Sequence, residues 1–135
     1  MNTTHNRRRE KRLSCHGNLS VVVKNSNKGF LGLFQKTGTA TWMDFTHLGM
    51  AFQTDQRFDP GEQLLLDLLI TDTSQVSLCN VVAVVQHATI LPNNLYAYGV
   101  EFDFQANTEM QSTDMEQGLQ NIAAMLEDII ARAPQ

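Results

Sequence analysis

The sequence is poor in the features that mark several classes of protein. It has two cysteines, Cys15 and Cys79, too few and too far apart for a disulfide scaffold or a paired metal site, so we expect free thiols of a reducing compartment. The richest apolar run, residues 64–70, is interrupted by Asp67 and is far shorter than the roughly 20 residues that cross a bilayer. Residues 1–12 are polar and basic, unlike a signal peptide. We therefore expect a cytoplasmic protein without a membrane segment.

Positive charge is scarce outside one segment. Half of the ten Lys and Arg residues lie between Arg7 and Arg12, where Glu10 alone opposes them, and the net charge of the chain is −4. Proteins that lie along a nucleic-acid duplex usually carry a basic face on the folded body. This distribution argues against a nucleic-acid partner. Binding of nucleic acid through the basic segment alone stays open as an alternative, and it predicts affinity that falls steeply with salt.

The residue patterns that catalysis requires are missing. No nucleophile has an adjacent base, no glycine-rich phosphate loop is visible, and the four histidines share no metal-ligand spacing. We expect a binding protein that is not an enzyme and has neither cofactor nor metal.

Short apolar runs separated by turn residues fill the middle of the chain. The clearest is residues 98–104, where apolar and polar side chains alternate with the period of two of a half-buried strand. Many short strands in a domain of this size predict a small antiparallel barrel or sandwich. The predicted strands are residues 19–23, 30–35, 39–43, 50–53, 63–70, 76–90 and 98–104.

The C-terminal segment changes to a helical period. Apolar residues recur there at the three-and-four spacing of one helical face, which predicts a helix over about 114–132 packed on the barrel. Thr113 and Glu116 have the form of a capping box. The predicted organisation is a flexible basic arm over 1–12, a barrel over 13–106 and a helical segment over 107–135.

Two segments carry recognition chemistry. Arg8 and Arg12 have the spacing R-x-x-x-R, and guanidinium groups can bind phosphate bidentately, pair with guanine O6 and N7, or stack on a base. Asp44, Thr46 and Gly49 form the pattern D-x-T-x-x-G in a predicted turn between strands. Taken alone, the first segment is typical of a solvated tail and the second of an ordinary hairpin turn.

In this order, and followed by the strand Y-G-V-E-F at residues 98–102, the two segments resemble the PilZ domain family. The resemblance covers roughly residues 7–104 and implies a six-stranded antiparallel barrel with a C-terminal helix, which binds the bacterial second messenger cyclic di-GMP. It assigns guanine and phosphate contacts to Arg8 and Arg12. It also implies that Asp44 binds the hydrogen-bonding edge of a guanine and that Thr46 stands where a serine is usual. Gly49 would let the backbone come close to the nucleotide.

Two further arginines belong to the implied site. Arg7 resembles family members that take up a stacked pair of ligand molecules, and Arg9 is the next cation expected near the site. The resemblance implies signalling through an arm that becomes ordered on binding and is then read by a downstream protein partner. The alternative within the family is a nucleotide-independent interaction domain in pilus assembly or motility. Such members lack the arginine pair.

Overall fold

The structure is a computed structural model that describes residues 19–25 and 37–132. The basic arm and the strand predicted over 30–35 lie outside the described residues. Within the described part, the elements are β1 (Leu19–Asn25), β2 (Thr37–Thr46), β3 (Gly49–Thr54), β4 (Gln63–Thr71), β5 (Gln75–Leu91), β6 (Leu95–Phe102) and α1 (Thr113–Arg132).

The six strands close into a barrel in the order β1-β2-β3-β6-β5-β4, and each neighbouring pair is antiparallel. This confirms the predicted six-stranded barrel with a C-terminal helix. The helix in the described part has no stretch long and apolar enough to span a membrane.

Alternation along the strands fills the barrel with apolar side chains. In β4, Leu64, Leu66, Leu68 and Ile70 are all buried, while the residues between them face outward or lie at intermediate depth. The alternation also explains why Asp67 interrupts the apolar run without harming the core. Its side chain lies outside, 3.1 Å from Lys24 Nζ on β1.

The helix α1 packs its apolar stripe on the barrel through residues such as Leu119, Ile122 and Leu126, all of which are buried. Gly118 lies on the same face. A Cβ added there would meet Leu78 Cδ2 of β5 at 2.7 Å, so the missing side chain permits close contact between helix and barrel.

Two boundaries differ from the sequence-based prediction. The helix is capped by Ser112 and not by Thr113, because Ser112 Oγ accepts a hydrogen bond from the N–H of Met115 at 3.1 Å. Strand β6 begins at Leu95 and ends at Phe102, so Phe104 is not part of it. The chain leaves the sheet there because Asp103 Oδ1 accepts from the N–H of Gln105 at 3.0 Å and forms a turn.

Candidate functional site

The D-x-T-x-x-G pattern lies on the hairpin between β2 and β3. The prediction that all of residues 44–49 form a turn was wrong, because β2 continues through Thr46 and the turn consists of His47 and Leu48. Strand pairing persists as Asp44 opposite Ala51 and Thr46 opposite Gly49. A register shift between Trp42 and Asp44 marks a bulge, which bends a strand and redirects its side chains.

Phe45 explains why the strand continues. Its ring packs at 5.8 Å from that of Phe102 on β6, so the residue between Asp44 and Thr46 is tied to the barrel core. Strand alternation then turns Asp44 and Thr46 outward, and both are exposed. The two polar residues of the motif therefore share one outer face.

The side chains of Asp44 and Thr46 both bond to nearby backbone. Asp44 Oδ1 accepts from the N–H of Phe45 at 2.9 Å. Thr46 Oγ1 accepts from the N–H of Leu48 at 3.1 Å and lies 3.4 Å from the carbonyl oxygen of Gly49, to which it donates. The threonine hydroxyl thus stabilises the tight turn, a role that serine could fill equally well.

Gly49 is required by the barrel itself. A Cβ built on it would collide with the carbonyl oxygen of Val100 and would lie 3.3 Å from Cα of Glu101, both on β6. We expected this glycine to permit close approach of a ligand. The structure supplies a separate reason for glycine, which holds whether or not a ligand binds.

Asp44, Thr46 and Gly49 are brought together around one open depression of about 190 Å³ on the outside of the barrel. A larger groove of about 440 Å³ adjoins it and has α1 as its opposite wall. The groove is lined by Trp42, Asp44, Phe45 and Thr46 of β2, and by Ala123, Leu126, Glu127, Ile130 and Ala131 of α1.

Sequence reasoning missed the helix as a wall of this site. Glu127 is an exposed residue of α1, and its side of the helix borders the groove. The periodicity of α1 predicts which residues are buried but contains no information on which strand the helix crosses, so no local signal could have identified Glu127.

The two residues of the turn point elsewhere. His47 and Leu48 line a different cavity of about 290 Å³, together with Phe104, Met110 and the start of α1. They do not line the groove or the depression beside Asp44. A bulky histidine at this variable position of the motif therefore does not fill the space next to Asp44 and Thr46.

The described lining of the groove is acidic. Asp44 and Glu127 are its charged residues, and neither lysine nor arginine is among the described residues that line it. Two of the basic residues in the described part already pair with carboxylates: Lys24 with Asp67 at 3.1 Å, and Arg132 with Asp72 at 2.6 Å. An anionic ligand at this groove would need cations from another part of the chain.

The strand β1 shows where the preceding chain enters the barrel. Val21 lies opposite Ala40 and Lys24 opposite Thr37 in the antiparallel pair with β2. Leu19, the first residue of β1, is therefore at the level of Trp42, next to the end of β2 that carries Asp44 and Thr46. Arg7, Arg8, Arg9 and Arg12 themselves lie outside the described residues.

No family model matches the chain, and no curated protein matches its sequence. Solved structures do match. MrkH of K. pneumonia in complex with c-di-GMP has a TM-score of 0.58 at 13% identity, covering 85% of this chain and 48% of that one. MrkH in its apo state has a TM-score of 0.57 at 13% identity, covering 84% of this chain and 49% of that one. The Bacillus subtilis inhibitor of motility MotI/DgrA has a TM-score of 0.54 at 16% identity, covering 81% of this chain and 46% of that one.

The chain has a PilZ-like fold. At these identities the likeness concerns the fold, and the chain spans about half the length of each of these proteins. The fold expected from the PilZ resemblance is therefore confirmed. One further MrkH structure is described as a c-di-GMP-dependent transcription regulatory factor, and MotI/DgrA as an inhibitor of motility, so both names denote regulators. Among the described residues, no cluster of three or more potential metal ligands is present in the PilZ-like domain.

Proposed function

We propose that this PilZ-like domain is a receptor module for cyclic di-GMP and has no enzymatic activity. The ligand is held between the arginines of the N-terminal arm and the outer face of the β2–β3 hairpin. The proposed binding residues are Arg7, Arg8, Arg9, Arg12, Asp44, Thr46 and Gly49. A complex of MrkH with c-di-GMP among proteins of the same fold supports the choice of ligand.

The observation that carries this proposal is the entry point of the chain into β1. Leu19 lies at the level of Trp42, so the residues that precede it start from the end of β2 with Asp44 and Thr46. Arg12 is seven residues before Leu19, and an extended chain covers up to about 3.6 Å per residue. Its reach of about 25 Å exceeds the roughly 13 Å from Trp42 to Thr46 along a strand.

The distribution of charge also supports a site formed by the arm and the β2–β3 hairpin together. The described groove offers the carboxylates of Asp44 and Glu127 but no cation, whereas cyclic di-GMP carries two phosphate charges. The arm supplies the missing positive charge, and Asp44 accepts hydrogen bonds from the N1 and N2 donors of a guanine. In this arrangement the arm provides the cations for the phosphates, and the hairpin provides the hydrogen-bond acceptor for the guanine.

The exposed faces of Asp44 and Thr46 fit the binding of a large, flat ligand. The depression next to them is open and shallow, so a dinucleotide would be covered on one side by the barrel and on the other by the arm. Fixing the arm has an entropic cost of about 1–2 kcal/mol for each backbone residue ordered. The liganded arm and barrel then form a new surface that a downstream protein partner reads.

Titration calorimetry with cyclic di-GMP tests the proposal. Wild-type protein should bind with measurable heat, and Arg8→Ala or Arg12→Ala should each weaken binding by about 1.5–3 kcal/mol, the range for hydrogen bonds to a charged group. Lys11→Ala is the matched control, since it removes one arm charge that is not assigned to the site. Its effect should be smaller and should disappear at high salt.

Two outcomes would overturn the proposal. Absence of both heat and thermal stabilisation at tens of micromolar cyclic di-GMP would indicate a nucleotide-independent interaction domain. Equal competition by GTP, GMP and short oligonucleotides, with an affinity that falls steeply with salt, would indicate nucleic-acid binding through the arm.

A further inference from the structure

Strand β5 is longer than its neighbour β4 and extends past it. The pairing of β4 with β5 ends at Gln63 opposite Val84, and the backbone of Val85 then bonds to Gly61 and Glu62 at 2.7 and 2.9 Å. Beyond Val85, β5 continues to Leu91 and pairs with β6 on its other side. Within the described part of the chain, no strand pairs with the outer edge of residues 86–91.

This outer edge is exposed and uncharged. Residues 86–90 are all exposed, and Ile90 reaches 81%, the highest value among the large exposed hydrophobic residues of the described part. The whole 17-residue strand contains no Lys, Arg, Asp or Glu. Natural edge strands are usually protected by charges, because an open row of backbone N–H and C=O groups invites pairing with another strand. This edge lacks that protection.

We propose that the edge of β5 at residues 86–91 pairs with the same edge of a second copy of this chain, forming an antiparallel, two-fold symmetric dimer. The two barrels then share a continuous sheet across the β5–β6 hairpins. The proposal concerns a surface other than the ligand site and does not depend on cyclic di-GMP binding.

Charge favours a second copy as the occupant. The described surface is acidic, with Lys24, Arg57 and Arg132 as its lysines and arginines, so most pairs of faces on two copies would repel each other. The edge of β5 can face itself with no like charges opposite one another. A two-fold interface also requires a patch that is complementary to itself, and an uncharged antiparallel strand meets this condition.

Side-chain sizes fit one register in particular. With Thr89 on the two-fold axis, Ala88 of each copy lies opposite Ile90 of the other, and the two Thr89 residues face each other. Small and large apolar side chains are thereby matched, and a pair of threonines across strands is a favourable combination.

Molecular mass in solution tests the dimer. Sedimentation equilibrium or light scattering of the full chain should show a concentration-dependent rise from the monomer mass of 15.1 kDa to twice that value. Ile90→Lys places two cations across the axis and should weaken dimerisation by about tenfold or more. Leu69→Lys is the control, since Leu69 is an exposed apolar residue of β4 away from this edge, at 38% exposure, and should leave dimerisation unchanged.

A wild-type protein that stays monomeric at hundreds of micromolar would overturn the proposal. A dimer of equal strength in the Ile90→Lys variant would also overturn it, provided that circular dichroism shows the variant to be folded. Site-directed cross-linking checks the register. Thr89→Cys, in a background with Cys15→Ser and Cys79→Ser, should form an intermolecular disulfide on mild oxidation, because facing residues on antiparallel strands meet the distance a disulfide needs.

Discussion

Gly49 on β3 lies against the backbone carbonyl of Val100 on β6, so closely that a Cβ has no room. Gly49→Ala should therefore destabilise the barrel by about 1–3 kcal/mol, as overpacking against backbone does. Gly99→Ala is the matched control, because a Cβ there would meet only the side chain of His87, at 3.1 Å, which is exposed and can move. Chemical denaturation of the two variants measures the difference, and equal stability would contradict the contact.

Two substitutions of Thr46 distinguish the structural role of its hydroxyl from that of its methyl. Thr46→Ala removes the acceptor for the N–H of Leu48 and should lower the free energy of unfolding by about 0.5–1.5 kcal/mol, while Thr46→Ser keeps the acceptor and should be nearly neutral. Denaturant titration compares them. If both variants lost the same stability, the hydroxyl would not be what holds the turn.

Glu127 should weaken binding of an anion, since its carboxylate lines the same groove as Asp44. We expect Glu127→Gln to bind cyclic di-GMP about two- to fivefold more tightly at low salt, with the gain lost at high salt as screening increases. Glu116→Gln is the control, because Glu116 is on the same helix but lines the other cavity. Weaker binding by the Glu127 variant would mean that this carboxylate contacts the ligand as an acceptor.

Tyr98 gives the barrel a pH-dependent contribution to stability. Burial raises the pKa of its hydroxyl above the ordinary value of 10.0, against the opposing effect of the hydrogen bond from the N–H of Phe58 at 2.8 Å. The hydroxyl also donates to the carbonyl oxygen of Gln56 at 2.9 Å. A raised pKa in the folded state means that the proton is held more tightly there, so this contribution is complete below pH 10 and is lost as the pH rises through the folded value.

The variant Tyr98→Phe isolates this contribution. At neutral pH it should be less stable than wild type by about 1–3 kcal/mol, because the buried N–H of Phe58 and the part-buried carbonyl of Gln56 lose their partner. The difference between the two proteins should shrink above pH 10. Urea denaturation over pH 7 to 11 follows it, and a constant difference would show that ionisation of Tyr98 is not linked to folding.

The sequence predicted the barrel well because most of its strands follow a simple alternation. In β6, the buried Tyr98, Val100 and Phe102 alternate with Gly99 and Glu101, so both the strand and its inward face could be predicted. The ends of elements were less predictable. At β2, packing of Phe45 on Phe102 extends the strand through a segment whose residues favour a turn, and such tertiary contacts leave no local signal.

The site was predictable only in part for the same reason. The order of motifs gave the residues Asp44, Thr46 and Gly49, which the structure brings together around one depression. It did not predict that α1 forms one wall of the groove. Nor did it predict that the close backbone of β6 leaves room only for glycine at position 49. The roles of Arg8 and Arg12 stay predictions.

The central claim is that cyclic di-GMP is held by the arm and the β2–β3 hairpin together. Amide NMR of ¹⁵N-labelled protein, with and without cyclic di-GMP, tests it most directly because both halves are observed in one experiment. We predict that the signals of residues 7–12 shift and acquire the relaxation of an ordered backbone, while those of Asp44, Thr46 and Gly49 shift at the same ligand concentration. A titration in which the arm signals stay unchanged while the protein binds the ligand elsewhere would contradict the claim.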